Sequence, residues 1–317
     1  MANDVTTNAM QRVFDAAGLQ VFERGWLSSN NVLFDGRGSG GESVLIDSGY
    51  CTHAAQTVAL VKAALAGRSL TRVVNTHLHS DHCGGNAALQ SHFGCAIDVP
   101  RGEIGKVDAW DETALTFRDT GQSCPRFERT GAVADGDSIR LGAMDWTVIA
   151  APGHDPESVV LHQPELKLLI SADGLWENGF GVVFPEIEGI DAFETVGRTL
   201  DRLAELDVDW IIPGHGQPFQ NMTAALERAR GRLNGFLTNP GRHARHAAKV
   251  LIKFHLLEVQ HADRDQLIEW MATTRYLQLT HARYFESLSL TDWAAALLNE
   301  LAAATAIKVV GNSIYDH

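Results

Sequence analysis

The chain has 317 residues, and its 39 Asp and Glu outnumber its 26 Lys and Arg, which gives a formal net charge of −13. This length suffices for one large domain and a smaller one, and such a core needs neither disulfides nor a structural metal to fold. The excess acid lies in residues 1–221, at a net −15 against +2 in residues 222–317, which argues against broad nucleic-acid binding, because that binding requires cations to neutralise phosphates.

The first two-thirds of the chain alternate short apolar runs with turn residues, which is typical of strands. Strands are predicted at residues 19–22, 32–34, 44–46, 72–75, 95–99, 144–150, 167–171 and 210–212. Glycines at positions 36, 38, 40 and 41 predict a turn between the second and third of these strands. Apolar residues at helical spacing predict helices at residues 54–66, 87–93 and 191–206, and residues 100–125 are interpreted as a helical insert over the strand ends.

After residue 221 the pattern becomes helical. Helices are predicted at residues 222–238, 242–260, 263–273 and 290–304, and residues 307–315 predict a strand pair that turns at Gly311-Asn312. This change predicts two domains, at residues 1–221 and 222–317, of which the second is smaller and mostly helical. Three helices followed by a short β element also resemble a winged-helix unit.

The first residues, the length of the apolar runs and the cysteines bear on the cellular compartment. Residues 1–7 contain no basic segment followed by an apolar one, and no run approaches the roughly 20 apolar residues of a membrane span. The four cysteines form no C-x-x-C pair, which fits a reducing compartment. We therefore expect a cytoplasmic protein without a membrane partner, and Cys83 is interpreted as a small buried residue.

Four apolar strands run directly into loops that hold His or Asp. The first of these loops is the stretch Thr76-His77-Leu78-His79-Ser80-Asp81-His82. His77 and His79 are two residues apart and can point the same way, whereas Asp81 and His82 can face a second point, so one turn can supply two ligands to each of two metals. Later strand ends offer His154, Asp173 and His215. Because neighbouring strands bring such loops to one sheet edge, these residues predict a site for two divalent cations.

This series closely resembles the metallo-β-lactamase superfamily over about residues 21–216. The matching motifs are His77-x-His79-x-Asp81-His82, Gly153-His154, Asp173-Gly174, Gly214-His215 and an early Asp47-x-Gly49. The resemblance implies an α/β fold, an αββα sandwich of two sheets with helices outside. It implies a first metal on His77, His79 and His154, a second metal on Asp81, His82 and His215, a bridging Asp173, and an Asp47 that holds the ligand turn by hydrogen bonds.

Two cations a few ångströms apart lower the pKa of a bridging water and give hydroxide at neutral pH. The predicted function is therefore a dinuclear hydrolase of a small ester, thioester or lactone, in which Asp81 orients the hydroxide while it binds metal. Zinc is the expected metal, with iron and manganese as alternatives, because His and carboxylate ligands do not choose among them.

Departures from individual subfamilies narrow this prediction. His79 stands where flavodiiron-type oxygen reductases carry a carboxylate, and Asp173 stands where antibiotic-hydrolysing enzymes with this motif have Cys, so neither activity is expected. Glyoxalase-II-like thioesterases share every ligand, but their C-terminal substrate region is not recognisable here. The layout is most similar to lactamase-like hydrolases with a winged-helix-like tail.

Three alternatives stay open from the sequence. A phosphodiesterase or endoribonuclease of the same superfamily would use the mildly basic tail to grip nucleic acid, a partner that is not favoured. A mononuclear-iron persulfide dioxygenase is the second alternative, and a metal-stabilised binding module without activity is the third. Trp176, Asn178, Phe180 and Phe184 are expected to line the approach to the metals, and the tail is expected to close the pocket, form a homodimer or contact a large substrate. His281 is a further candidate substrate contact.

Overall fold

The structure, a computed structural model, describes residues 2–37 and 41–317, and the side chains from residue 8 onward. Gly38 and Gly40 of the predicted glycine turn lie outside the described residues. In the part of the chain that the structure describes, no helix combines the length and the apolar character that crossing a membrane requires.

The first sheet consists of β1 (Leu19–Phe22), β2 (Asn31–Phe34), β3 (Val44–Ile46), β4 (Arg72–Val74), β5 (Ala96–Pro100) and β6 (Gly131–Val133), in that order across the sheet. The first two pairings are antiparallel, and β3 to β6 run parallel. Ile46 of β3 pairs with Val74 of β4, so the loops after these two strands leave the sheet at the same edge.

The second sheet consists of β7 (Ser138–Leu141), β8 (Met144–Ala150), β9 (Val159–Gln163), β10 (Leu168–Ala172) and β11 (Trp210–Pro213). Its order is β11-β10-β9-β8-β7, and among the described pairings of this second sheet only that of β10 with β11 is parallel. The register of β10 shifts between Ile170 and Ala172, and Ala172 adopts a positive φ of 44°. Such an irregularity re-aims the next side chain, which is Asp173.

The two sheets pack face to face with helices on both outer sides. The helices of this part are α1 (Ala2–Ala17), α2 (Ala54–Leu65), α3 (Ser80–Cys83), α4 (Asn86–Phe93), α5 (Ile104–Ala109), α6 (Phe117–Thr120), α7 (Phe184–Glu188) and α8 (Phe193–Ala204). Ile46 and Ile170 meet between the sheets, Leu45 faces α2, and Leu169 faces α8. The strands are apolar on both faces because each face is covered, and the predicted αββα sandwich is confirmed.

The C-terminal part contains α9 (Met222–Thr238), α10 (Pro240–Val259), β12 (His261–Asp263), α11 (Arg264–Thr273), α12 (Arg275–Tyr284), α13 (Leu290–Ala303), β13 (Ile307–Val310) and β14 (Ser313–Asp316). The Asn221 side chain accepts from the backbone of Ala224 and begins α9, and Pro240 stands in the first turn of α10. The strands form a small sheet in the order β12-β14-β13. The helical C-terminal region is confirmed, and its winged-helix-like character stays a prediction.

The apolar contacts of the C-terminal part fall into two groups. Leu226 and Leu233 of α9 pack into the core that holds α8 and β11. Leu251 of α10 and Leu297 of α13 share a second core with Phe184 of α7. The helical part is therefore anchored on both sides of the loop after β10, and the division at residues 221 and 222 stays a prediction.

Candidate metal centre

The structure brings all seven predicted ligand residues to one edge of the sandwich. They lie in the four segments that follow β4, β8, β10 and β11, with Asp81 and His82 in the short helix α3, and they form three overlapping groups in which the ligand atoms lie within 4.8 Å of one another. The groups are His77 with His79 and His154, His77 with His82 and Asp173, and Asp81 with His82 and His215. Loops far apart in the sequence meet here because the strands before them end at the same edge.

Three imidazoles form the first half of the cluster. The Nδ1 atom of His79 lies 2.8 Å from the Nε2 atom of His154. The ring of His77 is fully buried, with its centroid 4.7 Å from that of His79 and 5.1 Å from that of His154. A neutral imidazole has one N–H and one lone pair, so at this distance the two nitrogens either share one proton in a hydrogen bond or direct their lone pairs at a cation.

The second half combines two imidazoles with a carboxylate. The Nε2 atom of His215 lies 3.0 Å from an oxygen of Asp81. The Asp173 carboxylate lies between the two halves, because its Oδ1 is 3.5 Å from Nε2 of His82 and its Oδ2 is 3.4 Å from Nε2 of His154. Oδ2 is also 3.8 Å from Nε2 of His215 in the second half, so the carboxylate as a whole lies within reach of both halves.

Hydrogen bonds behind the cluster hold the rings in one orientation. Asp47 accepts from the backbone N–H of Thr76 at 2.9 Å, from its hydroxyl at 2.8 Å and from Nδ1–H of His82 at 2.8 Å. The Thr76 hydroxyl accepts from Nδ1–H of His77 at 3.1 Å. On the opposite side, Nδ1–H of His154 donates to the carbonyl of Val182 at 2.5 Å. Each of these three rings consequently directs Nε2 into the cluster, as in metal sites where a ligand histidine donates its other N–H to the protein.

Burial and charge set the protonation of the cluster. Burial lowers the pKa of His79 and of His154 to about 4, so both rings are neutral at pH 7 with lone pairs available to a metal. Burial also opposes the charged form of His82, but the carboxylates of Asp173, Asp47 and Asp81 outweigh it and raise the pKa of His82. The same attraction outweighs burial at Asp173 and lowers its pKa.

The donor atoms of the cluster are of the kinds that bind a divalent cation. Nε2 of His77 and Nε2 of His82 are buried and have no hydrogen-bond partner among the described residues. No Lys or Arg of the described chain forms an ion pair with Asp81 or Asp173. Carboxylates that have no Lys or Arg beside them, and buried imidazole nitrogens without a hydrogen-bond partner, are suited to a metal ion that joins them.

Close backbone approach makes room for the cluster. A Cβ atom on Gly214 would lie 2.1 Å from Oδ1 of Asp173 and 3.0 Å from the His82 ring. Cys83, next to His82, is buried with its sulfur 3.7 Å from that of Cys124, and burial raises the pKa of its thiol. Cys83 therefore belongs to the core behind the turn, as expected, and not to the metal cluster.

A cavity of about 640 Å³ opens over the metal cluster. Trp176 lines it and donates from its indole N–H to Oδ1 of Asp173 at 3.1 Å. Asn178 and Phe184 also line it, as expected, whereas the expectation for Phe180 is wrong, because its ring is 1% exposed and packs in the core. The sequence reasoning missed Trp26, whose indole is 58% exposed and stacks on the His215 ring at 5.2 Å.

Two further sequence expectations concern residues around this cavity. His281 does not line it, since its ring packs on Trp293 and its Nε2 hydrogen-bonds the carbonyl of Leu288. The insert at residues 100–125 contributes Thr120 and Gln122 to the wall. Gln122 reaches the metal-binding turn directly through a short hydrogen bond from Ser80, so the insert lies against the cluster.

The fold and the site define a class of proteins with a two-sheet sandwich and a His and Asp cluster at the strand ends. The family model of the metallo-beta-lactamase superfamily matches residues 24–215. The chain therefore belongs to the metallo-beta-lactamase superfamily.

Comparison with known proteins extends this assignment. A hydroxyacylglutathione hydrolase of Rhizobium meliloti (strain 1021) is 33% identical over 161 residues, which cover 50% of this chain and 54% of that protein. A hydroxyacylglutathione hydrolase of Hyphomonas neptunium is 30% identical over 149 residues, 47% of this chain and 49% of that protein. The chain thus spans about half the length of the curated relatives that it matches.

Solved structures share the fold over nearly the whole chain. A metallo-beta-lactamase family protein from Thermus thermophilus has a TM-score of 0.55 at 19% identity and covers 95% of this chain and 99% of its own. A beta-lactamase domain protein from Burkholderia ambifaria has a TM-score of 0.57 at 20% identity and covers 95% of this chain and 92% of its own. The shared fold includes the helical C-terminal region.

Proposed function

We propose that this protein is a metal-dependent hydrolase that binds two divalent cations and cleaves a small ester, thioester or lactone. The observation that carries the proposal is the position of the Asp173 carboxylate, which lies 3.5 Å from Nε2 of His82 and 3.4 Å from Nε2 of His154 and so reaches both halves of the cluster. The superfamily assignment supports it, as does the set of ligand atoms that meet within 4.8 Å. Fold alone does not fix function, whereas the residues of the site determine which chemistry is possible.

The ligand assignment is part of this proposal. His77, His79 and His154 would hold the first cation, Asp81, His82 and His215 would hold the second, and Asp173 would be available to both. When bound, such a pair of cations lowers the pKa of water between them and polarises a carbonyl oxygen of the substrate. Zinc is the proposed metal, and iron or manganese would suit the same ligands.

The side chains around the cations supply orientation. Asp81 is the proposed catalytic residue, because its carboxylate lies at the mouth of the cluster, lines the cavity and reaches His215 at 3.0 Å. It is placed to accept a hydrogen bond from the attacking water and to orient it. Trp176 fixes Asp173 through its indole N–H at 3.1 Å, and together with Trp26 it forms an apolar rim that limits access of bulk water.

The substrate is a small molecule in this proposal. The relatives named as hydroxyacylglutathione hydrolases support a thioester among the three bond types, although they match this chain over only about half their length. A protein without a metal-dependent activity is not favoured, because closed structural sites usually use four protein ligands, often cysteine. A cytoplasmic location is likewise proposed from the scattered free cysteines.

The test is a substrate panel on protein loaded with a defined metal. The panel contains an acyl thioester, a lactone, a p-nitrophenyl ester and bis-(p-nitrophenyl) phosphate, and it compares wild type with Asp81→Ala and with Asp145→Ala, an exposed carboxylate on β8. We expect metal-dependent hydrolysis of the thioester or its oxygen analogues, a loss of about 100-fold or more in Asp81→Ala, and no loss in Asp145→Ala.

The same panel separates the alternatives. Turnover confined to the phosphodiester would favour the phosphodiesterase alternative, and oxygen uptake with one iron per chain would favour the persulfide dioxygenase. No metal-dependent turnover of any compound would contradict the proposed hydrolase. Nucleic-acid binding by the C-terminal part and a homodimer stay predictions from the sequence.

A further inference from the structure

The cavity over the cluster continues between the helices of the C-terminal part, and this extension is mostly apolar. Val250, Phe254 and Leu257 of α10 line one side, and Leu301 of α13 lines another together with Ala304, the residue after that helix. Phe254 is 9% exposed and meets the buried ring of Tyr50 edge-on at 5.1 Å, so this wall is fixed by packing. An apolar group of the substrate can therefore lie along α10 while its reacting bond lies at the cluster.

One cation of the cavity wall, Arg232 on α9, is held in place without an acidic partner. Its guanidinium lies over the rings of Phe180 and Phe236, 5.5 and 5.4 Å from their centroids, and donates to Nε2 of His246 at 2.5 Å. A Cβ atom on Gly179 would lie 2.8 Å from its NH1 atom, so the glycine leaves the space that the guanidinium fills. The side chain is therefore positioned, and it lines the cavity.

The charge of Arg232 is not compensated within the described chain. No carboxylate lies within ion-pair distance of it there, whereas the other cations of this wall do have acids. Lys249 pairs with Glu300 at 3.1 Å, and Lys253 pairs with Asp316. The partner of Arg232, His246, is neutral, since burial and the charge of Arg232 lower its pKa to about 3. Burial likewise lowers the pKa of Arg232, and a half-buried guanidinium without a counter-ion is costly.

We propose that Arg232 binds an anionic group of the substrate, a carboxylate or a group of the same charge, while an apolar part of the substrate occupies the wall formed by α10 and α13. The inference rests on the proposed function, because it names the class of substrate that this site hydrolyses. A guanidinium has five N–H donors in a planar fork that matches a carboxylate, and only one of its nitrogens has a protein acceptor among the described residues.

The anionic group can belong to either half of the substrate, so the experiment has two arms. In one, the carboxylate is on the acyl half, as in the mono-thioester of hexanedioic acid with ethanethiol. In the other, it is on the leaving half, as in the hexanoyl thioester of 3-mercaptopropionic acid. Each compound is compared with its neutral carboxamide of the same shape, on metal-loaded wild type, Arg232→Gln, Arg232→Lys and Arg230→Gln. Arg230 is the matched control, because it is on the same helix and pairs with Asp201 at the surface.

The measured quantity is the value of kcat/KM for the acid divided by the value for its amide, which reports the preference for the anion. In at least one arm we expect wild type and Arg230→Gln to prefer the acid by about tenfold or more. Arg232→Gln should lose that preference, and Arg232→Lys should keep part of it. Thermal unfolding of each variant checks that it folds. No preference in wild type in either arm, or a preference that survives in Arg232→Gln, would overturn the inference.

A binding measurement keeps this test separate from the hydrolase proposal. The thioether analogues of the same four compounds cannot be hydrolysed, and their binding is followed by the fluorescence of Trp26 and Trp176 at the cavity mouth. The acid should bind about tenfold more tightly than the amide to wild type and about equally to Arg232→Gln. Equal binding in wild type would refute the role of Arg232 even if the thioesters are hydrolysed, and absent hydrolysis with the expected binding would refute only the proposed reaction.

Discussion

Substitution of Asp47 tests whether the hydrogen bonds behind the cluster prepare its metal ligands. The carboxylate is 3% exposed and accepts three hydrogen bonds, from the N–H and hydroxyl of Thr76 and from Nδ1–H of His82. Asp47 also has a positive φ of 56°, a conformation that Asn tolerates better than most residues. Asp47→Asn therefore keeps the backbone and the size of the side chain and removes the charge.

The expected effect follows from the hydrogen bonds that Asp47 accepts. One oxygen of Asp47 becomes an NH2 group in Asp47→Asn, so a second donor faces either Nδ1–H of His82 or the backbone N–H of Thr76, and one hydrogen bond behind the cluster is lost. Loss of an outer hydrogen bond of this kind costs about 10- to 100-fold in metal affinity. Asp47→Ala leaves three buried donors without an acceptor, at about 1–3 kcal/mol each, and should lower the free energy of unfolding by about 3–9 kcal/mol.

The assay is competition with a fluorescent chelator for zinc, together with urea unfolding of the metal-free and metal-loaded protein. The control is Asp145→Asn, which makes the same change at an exposed carboxylate, and it should match wild type in both measurements. Zinc affinity within about twofold of wild type in Asp47→Asn, with unfolding also unchanged, would show that the outer hydrogen bonds do not prepare the ligands.

Three further substitutions probe the site and its surroundings. Gly214→Ala places a Cβ 2.1 Å from Oδ1 of Asp173 and should weaken zinc binding by about tenfold or more. The control Gly231→Ala, whose Cβ would meet open space, should bind zinc as wild type does. Equal zinc affinities of the two variants would refute the prediction. Burial lowers the pKa of His243 to about 4, so the unfolded chain, with the usual value near 6.5, binds the proton first as the pH falls. The contribution of the neutral His243 ring to the free energy of unfolding is complete above pH 6.5 and falls by up to about 3 kcal/mol as the pH declines toward 4. Urea unfolding at pH 7 and at pH 4.5 should therefore show that His243→Gln loses less stability between the two pH values than wild type does. An equal loss in the two proteins would contradict this pKa shift. Trp176→Phe keeps the ring but removes the N–H donor to Asp173, and should lower kcat by about tenfold; an unchanged kcat would show that this bond is dispensable.

The site was largely predictable because its signals are local. Each predicted ligand stands at the end of an apolar strand or in the turn that begins at His77, and several stand beside a glycine, so a short window of sequence contains both the chemistry and the turn. The predicted ends of the strands at residues 72–75, 144–150 and 210–212 lie within one residue of β4, β8 and β11. Strand ends that share a sheet edge then bring the residues together without further information.

The elements that were missed lack such signals. α1 is polar along much of its length, and β7 alternates between exposed and partly buried residues at the edge of its sheet. β9 is buried on both faces, and its short apolar run after Ser158 does not distinguish a strand from a buried turn. α11 ends at Thr273 and α12 begins at Arg275, so only Thr274 separates them, without a glycine or proline to mark the boundary.

The walls of the cavity could not be predicted, because they depend on which helix face turns inward. Arg228, Arg230 and Arg232 follow one another at every second position of α9. Helical geometry places the first and third on one face and Arg230 on another, in agreement with the contacts of Arg228 to Glu177 and of Arg230 to Asp201. The sequence does not reveal that the face with Arg232 meets a cavity, and it placed Phe180 in the wall when that ring lies beneath the guanidinium.

The most direct test of the proposed two-metal site is the number of metal ions per chain, measured by mass spectrometry on protein that has been stripped, reloaded with zinc and desalted. Hydrolysis of the best thioester should be followed during the same reloading. The account predicts two zinc ions per chain, and activity that saturates only when both are bound. One ion per chain at saturation, or activity that is complete after the first ion, would contradict the dinuclear site in which Asp173 joins the two halves.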